Sequence, residues 1–386
     1  MNNMKCCVCG SDNCDLVYHH PAPAVTSLSS ILEVDTRVYV CQSCGHMQSA
    51  DLPDVQKFYD TEYQISLTSE DADQLYDIVG GKPVYRTQYQ AGLILDFVDV
   101  PRGAVVLDYG AAKAKSLYWL LQRRSDILPH VFDVSEDYRS YWQDWVPVEQ
   151  QMTYATPAEW NGHFDLITAH FVLEHVREPV EVFSDIARLL SPSGRFFFSV
   201  PDVVGNPGDM IVVDHLNHFT KSSVAVALDR AGMKLEKFDA IRLRGAYVVV
   251  AVLKGDEEKV SLPTREDIEA NVLALKKCCT SWHEAEKCIA DAQERNAGKK
   301  VAIYGAGVYG TFVFSRIRNS GGAVCFVDRN PHVHGRDHLA TPVVPPEELS
   351  ADIGVLYVAL NPAIARKAMV DLGFDSRRDL ELVYLS

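Results

Sequence analysis

Val105-Val106-Leu107-Asp108-Tyr109-Gly110-Ala111-Ala112-Lys113-Ala114, an amphipathic run, and then Leu128-Pro129-His130-Val131-Phe132-Asp133 decide how this chain folds. An apolar run ends in an acid, small residues make a turn, a helical pattern follows, and a second apolar run ends in an acid. That is one βαβ unit. Small side chains let backbone N–H groups at the helix N-terminus come close to a ligand, and an acid at the tip of the second strand can accept from ribose hydroxyls. The stretch predicts a nucleotide-binding opening.

Beyond Asp133 the alternation continues. Asp137 to Val146 reads as a helix, Met152 to Ala155 as a short strand and His163 to Ala169 as a strand. Pro179 to Leu190 reads as a helix closed by Ser191-Pro192-Ser193-Gly194, and Arg195-Phe196-Phe197-Phe198-Ser199-Val200 as a strand buried on both faces. Lys221 to Ala231 is a further helix, and Met233 to Ile241 with Ala246 to Leu253 a closing strand pair. Strands separated by helices predict an α/β, doubly wound sheet with an antiparallel edge. Upstream, Pro83 fits the first turn of a helix carrying Tyr85, Tyr89, Leu93, Ile94 and Phe97. The polar stretch from Leu52 to Gly81 holds Tyr63, placed either to contact a ligand or to pack on a neighbouring domain.

A length of 386 residues predicts two or three domains. The charge of −15 argues against broad binding to nucleic acid, which leaves a basic footprint. No run of about 20 apolar residues suggests a membrane span, and the start lacks the apolar core of a signal peptide. A cytoplasmic location is the expectation, and there ten cysteines are thiols or metal ligands rather than disulfides. Cys6-Cys7-Val8-Cys9-Gly10 and Cys41-Gln42-Ser43-Cys44-Gly45 are two Cys-x2-Cys-Gly knuckles, the pattern of a zinc ribbon. Cys6, Cys9, Cys41 and Cys44 are the expected Zn2+ ligands, with Cys7, Cys14, His19, His20 and His46 as substitutes. Four thiolates leave no open position for chemistry, so the ion would be scaffolding for a region too short to bury a large core.

After the solvated break Lys254 to Lys259, a long helix is predicted from Thr264 to Asn296, with Ile268, Val272, Leu275, Cys279, Trp282 and Ile289 as a packing stripe. Val301 to Tyr304, Gly305-Ala306-Gly307-Val308-Tyr309-Gly310, a helix to Asn319 and Val324 to Asp328 form a second βαβ unit, with a Gly-x-Gly-x-x-Gly in its proper context. The span to Leu385 is short for a dinucleotide fold and reads as a Rossmann-like half. The domains are expected at 1–66, zinc-binding; 67–255, nucleotide-binding; and 256–386, linker helix and C-terminal domain.

The order of elements from 83 to 253, with Phe164-Asp165-Leu166-Ile167-Thr168-Ala169-His170-Phe171-Val172-Leu173-Glu174-His175-Val176 and Leu189-Leu190-Ser191-Pro192-Ser193-Gly194, resembles the class I methyltransferases that use S-adenosylmethionine. With the cysteine pairs, Cys44-Gly45-His46-Met47-Gln48 and the tail from Gly298 to Pro331, the whole chain resembles the three-part C-methyltransferases of deoxysugar biosynthesis. In that family a zinc-binding, a methyltransferase and a Rossmann-like domain enclose a nucleotide-linked keto sugar.

The resemblance implies that Asp108, Gly110, Ala111 and Ala112 shape the methionine side of the cofactor site. It also implies that Asp133 holds the ribose, Val134 faces the adenine and His170 joins the cofactor contacts. Asp214-His215-Leu216 matches the family's catalytic acid-His-Leu segment with Asp for the usual Glu, and Tyr63 lies where that family has an active-site tyrosine. An imidazole is poised near neutral pH, so His215 is the first choice of base, with Asp214 beside it and His218 and His175 in reserve. Two features depart from the pattern or leave a role open. Ala111, Ala112 and Ala114 stand where such loops carry a further glycine, and they would be strained if the backbone needs positive φ. Asp108 and Asp133 also suit turn and helix capping.

The expected partner is a small molecule, with neither nucleic acid nor membrane. The competing readings are an O- or N-methyltransferase on a sugar or other metabolite, an NAD-dependent enzyme using Gly305 to Gly310 and Asp328, and an inactive zinc-ribbon interaction protein.

Overall fold

The computed structural model describes residues 4–52, 73, 75–80, 82–255 and 260–385, and Tyr63 lies outside them. The chain forms two compact units that are not contiguous in sequence. The first comprises Met1–Asp15, Val40–Gly205 and Leu216–Val272; the second comprises Leu16–Tyr39, Asn206–His215 and Leu273–Ser386. Among the described residues no helix is long and apolar enough to cross a membrane.

In the first unit, seven strands lie in the order Gln151–Thr153, Leu128–Asp133, Val105–Tyr109, Phe164–His170, Leu190–Pro201, Ala246–Leu253 and Met233–Asp239. The first five are parallel, and Ala246–Leu253 runs antiparallel between its two neighbours. Alternation along each strand feeds two cores. Val106, Val131, Leu166, Phe197 and Val250 pack on one face, and Leu107, Phe132, Ile167, Phe196, Phe198 and Val249 on the other. Each fully buried side chain of this size contributes about 1.5–3 kcal/mol, which is why the central strands read as unbroken apolar runs.

The structure departs from the sequence reading at three places here. Asp137 to Val146 is not a helix: only Arg139–Tyr141 forms a 3-10 turn, and Trp142 is fully buried with its indole N–H donating to the Ala112 carbonyl at 2.7 Å. Packing of that indole overrides the helical pattern of its neighbours, which are weak helix formers. Pro83 lies in a hairpin, Leu75–Val79 against Lys82–Tyr85, and the helix starts at Arg86 and runs to Phe97; a two-stranded ribbon tolerates a proline that lacks a donor. Leu190–Pro201 is extended throughout, with the Ser-Pro-Ser-Gly stretch taken up in an irregular register against Phe164–His170.

In the second unit the strand order is Asp337–His338, Thr341–Val344, Cys325–Val327, Val301–Tyr304, Val355–Val358 and Glu381–Tyr384. All neighbours are parallel except the first pair. The helices Val308–Ile317 and Pro362–Asp371 belong to it, and Tyr304, Val327, Leu356, Val358, Ala365 and Met369 lie in its core. The short hairpin Asp337–Val344, interrupted by Pro342, carried too weak a pattern to be read from the sequence. The long helix runs from Arg265 to Arg295, with Leu275, Cys279, Trp282 and Ile289 buried. Residues 206–215 are tied to residues 16–39 in this unit: the Val213 N–H donates to the Val25 carbonyl at 2.8 Å, and Val25 bridges Val212.

Candidate active site and metal centre

Each Cys-x2-Cys-Gly segment folds into the same knuckle. The glycine N–H returns to the carbonyl of the first cysteine, Gly10 to Cys6 at 2.9 Å and Gly45 to Cys41 at 3.0 Å. Amides inside the turns point at sulfur, Cys9 N–H at Cys6 Sγ and Ser43 N–H at Cys41 Sγ. Cys6, Cys9, Cys41 and Cys44 converge so that their sulfurs all lie within 4.8 Å of one another, with Cys6–Cys44 at 3.6 Å and Cys9–Cys41 at 3.5 Å. Sulfurs held about 2.3 Å from a tetrahedral ion stand about 3.8 Å apart, so the cluster has the dimensions of a closed zinc site. The substitute ligands have other partners. Cys7 Sγ donates to Asn217 Oδ1 at 3.1 Å, and His46 Nε2 meets the same oxygen at 3.1 Å. Cys14 turns to the Ser11 carbonyl, His19 to Asp35 and His20 to the Pro21 carbonyl.

The loop after Val105–Tyr109 has the backbone of a glycine loop built partly from alanine. Gly110 takes φ +72°, and a Cβ there would stand 2.5 Å from Val172. Ala112 at φ +45° and Ala114 at φ +50° are also left-handed, although each carries a methyl group. Left-handed backbone costs a non-glycine residue about 1–2 kcal/mol, so two strained residues lie in this one turn. Asp133 helps hold them: its Oδ2 accepts from the Ala112 N–H at 2.8 Å and its Oδ1 from the Ser135 N–H at 3.0 Å. Burial raises its carboxyl from the usual range against these amides. A carboxylate has about four lone-pair sites, so these amides do not use up its accepting capacity. Val134, next in the chain, is 71% exposed and offers an apolar face beside it.

Asp108 is buried under the loop and accepts from Thr168 Oγ1 at 2.8 Å. Burial pushes its carboxyl up to about 7, the Thr168 bond lowers it, and the Asp133 charge raises it further. His170 is pinned at both ring nitrogens, Nε2 to Ser116 Oγ at 3.2 Å and Nδ1 to Ser199 Oγ at 3.1 Å, and burial lowers it to about 3. It is a neutral strut at the end of its strand. Beside it, Phe171 takes φ +56° and carries the guanidinium of Arg86 3.6 Å above its ring. Arg86, lowered to about 10 by burial, is a cation at this strand end that no motif in the sequence announced.

The candidate bases are placed differently from one another. His218 is fully buried in a two-residue strand paired with Met47–Ser49, its Nε2 3.0 Å from Ser49 Oγ. His175 closes the 3-10 turn Leu173–His175 and is partly exposed. His215 lies in the second unit with Nδ1 2.5 Å from Asp209 Oδ1; its side chain is 12% exposed and that of Asp209 1%. Asp214 turns its carboxylate to Ser27, accepting from the backbone N–H at 2.7 Å and the hydroxyl at 2.5 Å. The carboxylate against the imidazole thus belongs to a residue six positions earlier, which the sequence reading did not single out.

Residues 85–237 match the family model described as a methyltransferase domain. No curated protein matches the chain by sequence. Among solved structures, the complex of the Haloferax volcanii Trm112 methyltransferase activator with a methyltransferase is similar at 16% identity and a TM-score of 0.38, over 44% of this chain and 91% of that one. An S-adenosylmethionine-dependent methyltransferase from Mesorhizobium loti is similar at 15% identity and 0.35, over 42% and 97%. The CurJ carbon methyltransferase is similar at 15% and 0.34, over 44% and 54%. The domain match over residues 85–237 supports a methyltransferase enzyme.

Proposed function

We propose that the protein methylates carbon in a nucleotide-linked keto sugar, with His215 as general base, and that Cys6, Cys9, Cys41 and Cys44 hold a structural zinc ion. The observation that carries the reading is the His215 imidazole seated on the buried Asp209 carboxylate. A carboxylate can only accept, so Nδ1 carries the proton. Resemblance of the Asp214-His215-Leu216 segment to the sugar C-methyltransferases supplies the substrate class.

The cofactor presents a methyl group on sulfonium, which needs only an electron pair in line with it. The chain's residues position and deprotonate. The small residues Gly110 to Ala112 would let the ligand approach the backbone, with Asp133 the ribose acceptor, Val134 an adenine face, and Arg86 a cation for the methionine carboxylate. Asp108 supports the loop from below. His215 would remove the proton from the carbon beside the keto group and carry it as the imidazolium, leaving on that carbon the electron pair that the cofactor's methyl group would take. Asp209 stabilises that imidazolium.

The test is product analysis. The full chain is incubated with S-adenosylmethionine labelled with 13C at the methyl group and a panel of nucleotide-linked keto sugars. A product methyl carbon in the C–CH3 range is expected; an O–CH3 or N–CH3 shift would overturn carbon as the acceptor. Native mass spectrometry should find one zinc ion per chain and its loss in Cys6→Ser, and unchanged zinc content in that variant removes Cys6 from the ligand set.

A further inference from the structure

The turn after strand Phe164–His170 is entered under strain and rests on the first small-residue loop. Phe171 takes φ +56°, left-handed backbone for a bulky residue, and Leu173–His175 then forms the 3-10 turn. Val172, between them, presses both methyl groups on Gly110: a Cβ on that glycine would stand 2.5 Å from one and 2.9 Å from the other. A shift of the turn therefore changes the space in which Gly110 and its neighbours hold their backbone. The turn's own closing bonds are long, His175 N–H to the Val172 carbonyl at 3.1 Å and Val176 N–H to the Leu173 carbonyl at 3.4 Å. A carboxamide adds the firmer hold. Asn217, 1% exposed, donates from Nδ2 to the Leu173 carbonyl at 3.0 Å and to the Val176 carbonyl at 2.5 Å. Strained backbone persists where the surroundings over-determine it, and Asn217 is such a surrounding.

Carbonyls only accept, so the amide nitrogen faces the turn and Oδ1 faces the other way. There it meets the Cys7 thiol and His46 Nε2, each at 3.1 Å. The two donors and two lone pairs of the side chain are thereby all engaged, half by the turn and half by the cysteine-rich segments. A buried network satisfied in this way is rigid. Strand pairing keeps its members in register. Asn217 lies opposite Gln48, and the Gln48 side chain accepts the Cys7 N–H at 3.0 Å and donates to the Lys5 carbonyl at 3.0 Å. We infer that Asn217 is a positioning residue that couples the first cysteine knuckle to the cofactor loop. Cys7 and His46 fix its carboxamide, the carboxamide fixes residues 172–176, and Val172 fixes the backbone at Gly110. The inference rests on the reading of the first loop as the cofactor site, and it gives the cysteine-rich region a task in cofactor binding besides scaffolding. It also gives Cys7 a use for its thiol hydrogen that a metal ligand could not have.

The test titrates the full-length protein with S-adenosylhomocysteine in a calorimeter, with folding checked by circular dichroism and zinc per chain counted by native mass spectrometry. Asn217→Ala, which releases both carbonyls, should weaken binding about tenfold, and Cys7→Ala, which loosens the carboxamide, about threefold. Cys7→Ser, whose hydroxyl donates as the thiol does, should restore wild-type affinity. Zinc content should match the wild type in all three. A local signature accompanies these losses: in protein with 13C-labelled valine methyl groups, the Val172 signals, assigned by their absence in Val172→Ala, should move in Asn217→Ala and Cys7→Ala and return in Cys7→Ser. Wild-type affinity in a folded Asn217→Ala overturns the inference, as does equal affinity in Cys7→Ala and Cys7→Ser, and should Asn217→Ala not fold, the Cys7 pair decides alone. Loss of zinc in Cys7→Ala also overturns it, by making Cys7 a ligand. In each of these cases the wild type still binds, and the cofactor site stands; a wild type that binds no S-adenosylhomocysteine overturns the cofactor reading itself.

Discussion

Each of the two units contains a strand, a small-residue loop and a helix, and the two loops follow one plan. Tyr109-Gly110 corresponds to Tyr304-Gly305, Phe132-Asp133 to Val327-Asp328, and each acid accepts the amide of a loop alanine and the amide two residues beyond itself. They differ in what they leave uncomfortable. The first loop places Asp108 in the core where the second has Ile303, and it holds Ala112 and Ala114 in left-handed backbone. In the second loop the one residue with positive φ is Gly305. Strain and buried charge persist where the surroundings over-determine them, and they gather at ligand sites. We propose the first loop as the cofactor site; the second loop lacks these marks.

The largest expected effect separates the scaffold from the site. A Cβ on Gly310 would stand 1.9 Å from the Gly305 carbonyl oxygen, a backbone atom with nowhere to go. Gly310→Ala should cost more than about 4 kcal/mol and melt the second unit. Gly110→Ala meets Val172 methyls, which can shift, as well as its own φ; a loss of about 2–3 kcal/mol is expected, about half of it recovered by adding Val172→Ala. Calorimetric unfolding of the three proteins reads these losses, and a milder Gly310→Ala would show that the second loop is not the rigid one.

Binding comes next in size. Asp133→Asn should weaken S-adenosylhomocysteine by about tenfold, or about 1.4 kcal/mol, whereas Asp328→Asn should leave it within about twofold. Equal losses in isothermal titration would erase the assignment of the cofactor to the first loop.

The first loop was legible because its chemistry is local. An apolar run, an acid and a set of small residues announce a βαβ turn, and Cys-x2-Cys-Gly announces a knuckle, whatever the rest of the chain does. The His215 partner was not legible for the opposite reason. Asp214 is adjacent in sequence but serves Ser27, while Asp209 reaches the ring through a turn whose shape depends on Tyr309 and Trp282, some 70 to 100 residues later. No periodicity records such a contact. The same holds for residues 16–39, which read as part of an N-terminal domain yet are grouped with the second unit. It holds too for Trp142, whose burial displaces the helix its neighbours suggest.

A further effect, spread over pH, follows from the acid that only the first loop possesses. Asp108, with an ordinary carboxyl at 3.8 and a folded one near 7, keeps a proton in the folded chain that the unfolded chain releases. Stability therefore falls as pH rises through that window. Against Asp108→Asn, which still accepts from Thr168, the wild type should lose about 2 kcal/mol between pH 5 and pH 8 by urea denaturation. A flat difference would mean the carboxyl is already ionised in the fold.

The smallest effect is the most direct probe of strain. Replacing Ala112 or Ala114 by glycine removes a left-handed penalty of about 1–2 kcal/mol and adds the entropy cost of glycine, about 0.5–1 kcal/mol. Each change should stabilise the first unit by about 0.5 kcal/mol, read as a rise in denaturation midpoint without a change in slope. Affinity for S-adenosylhomocysteine should stay level or improve, because the amides keep their directions. A loss of stability in both variants would show that the alanine methyls contribute packing that outweighs the strain. The contrast between the two loops would then rest on Asp108 alone.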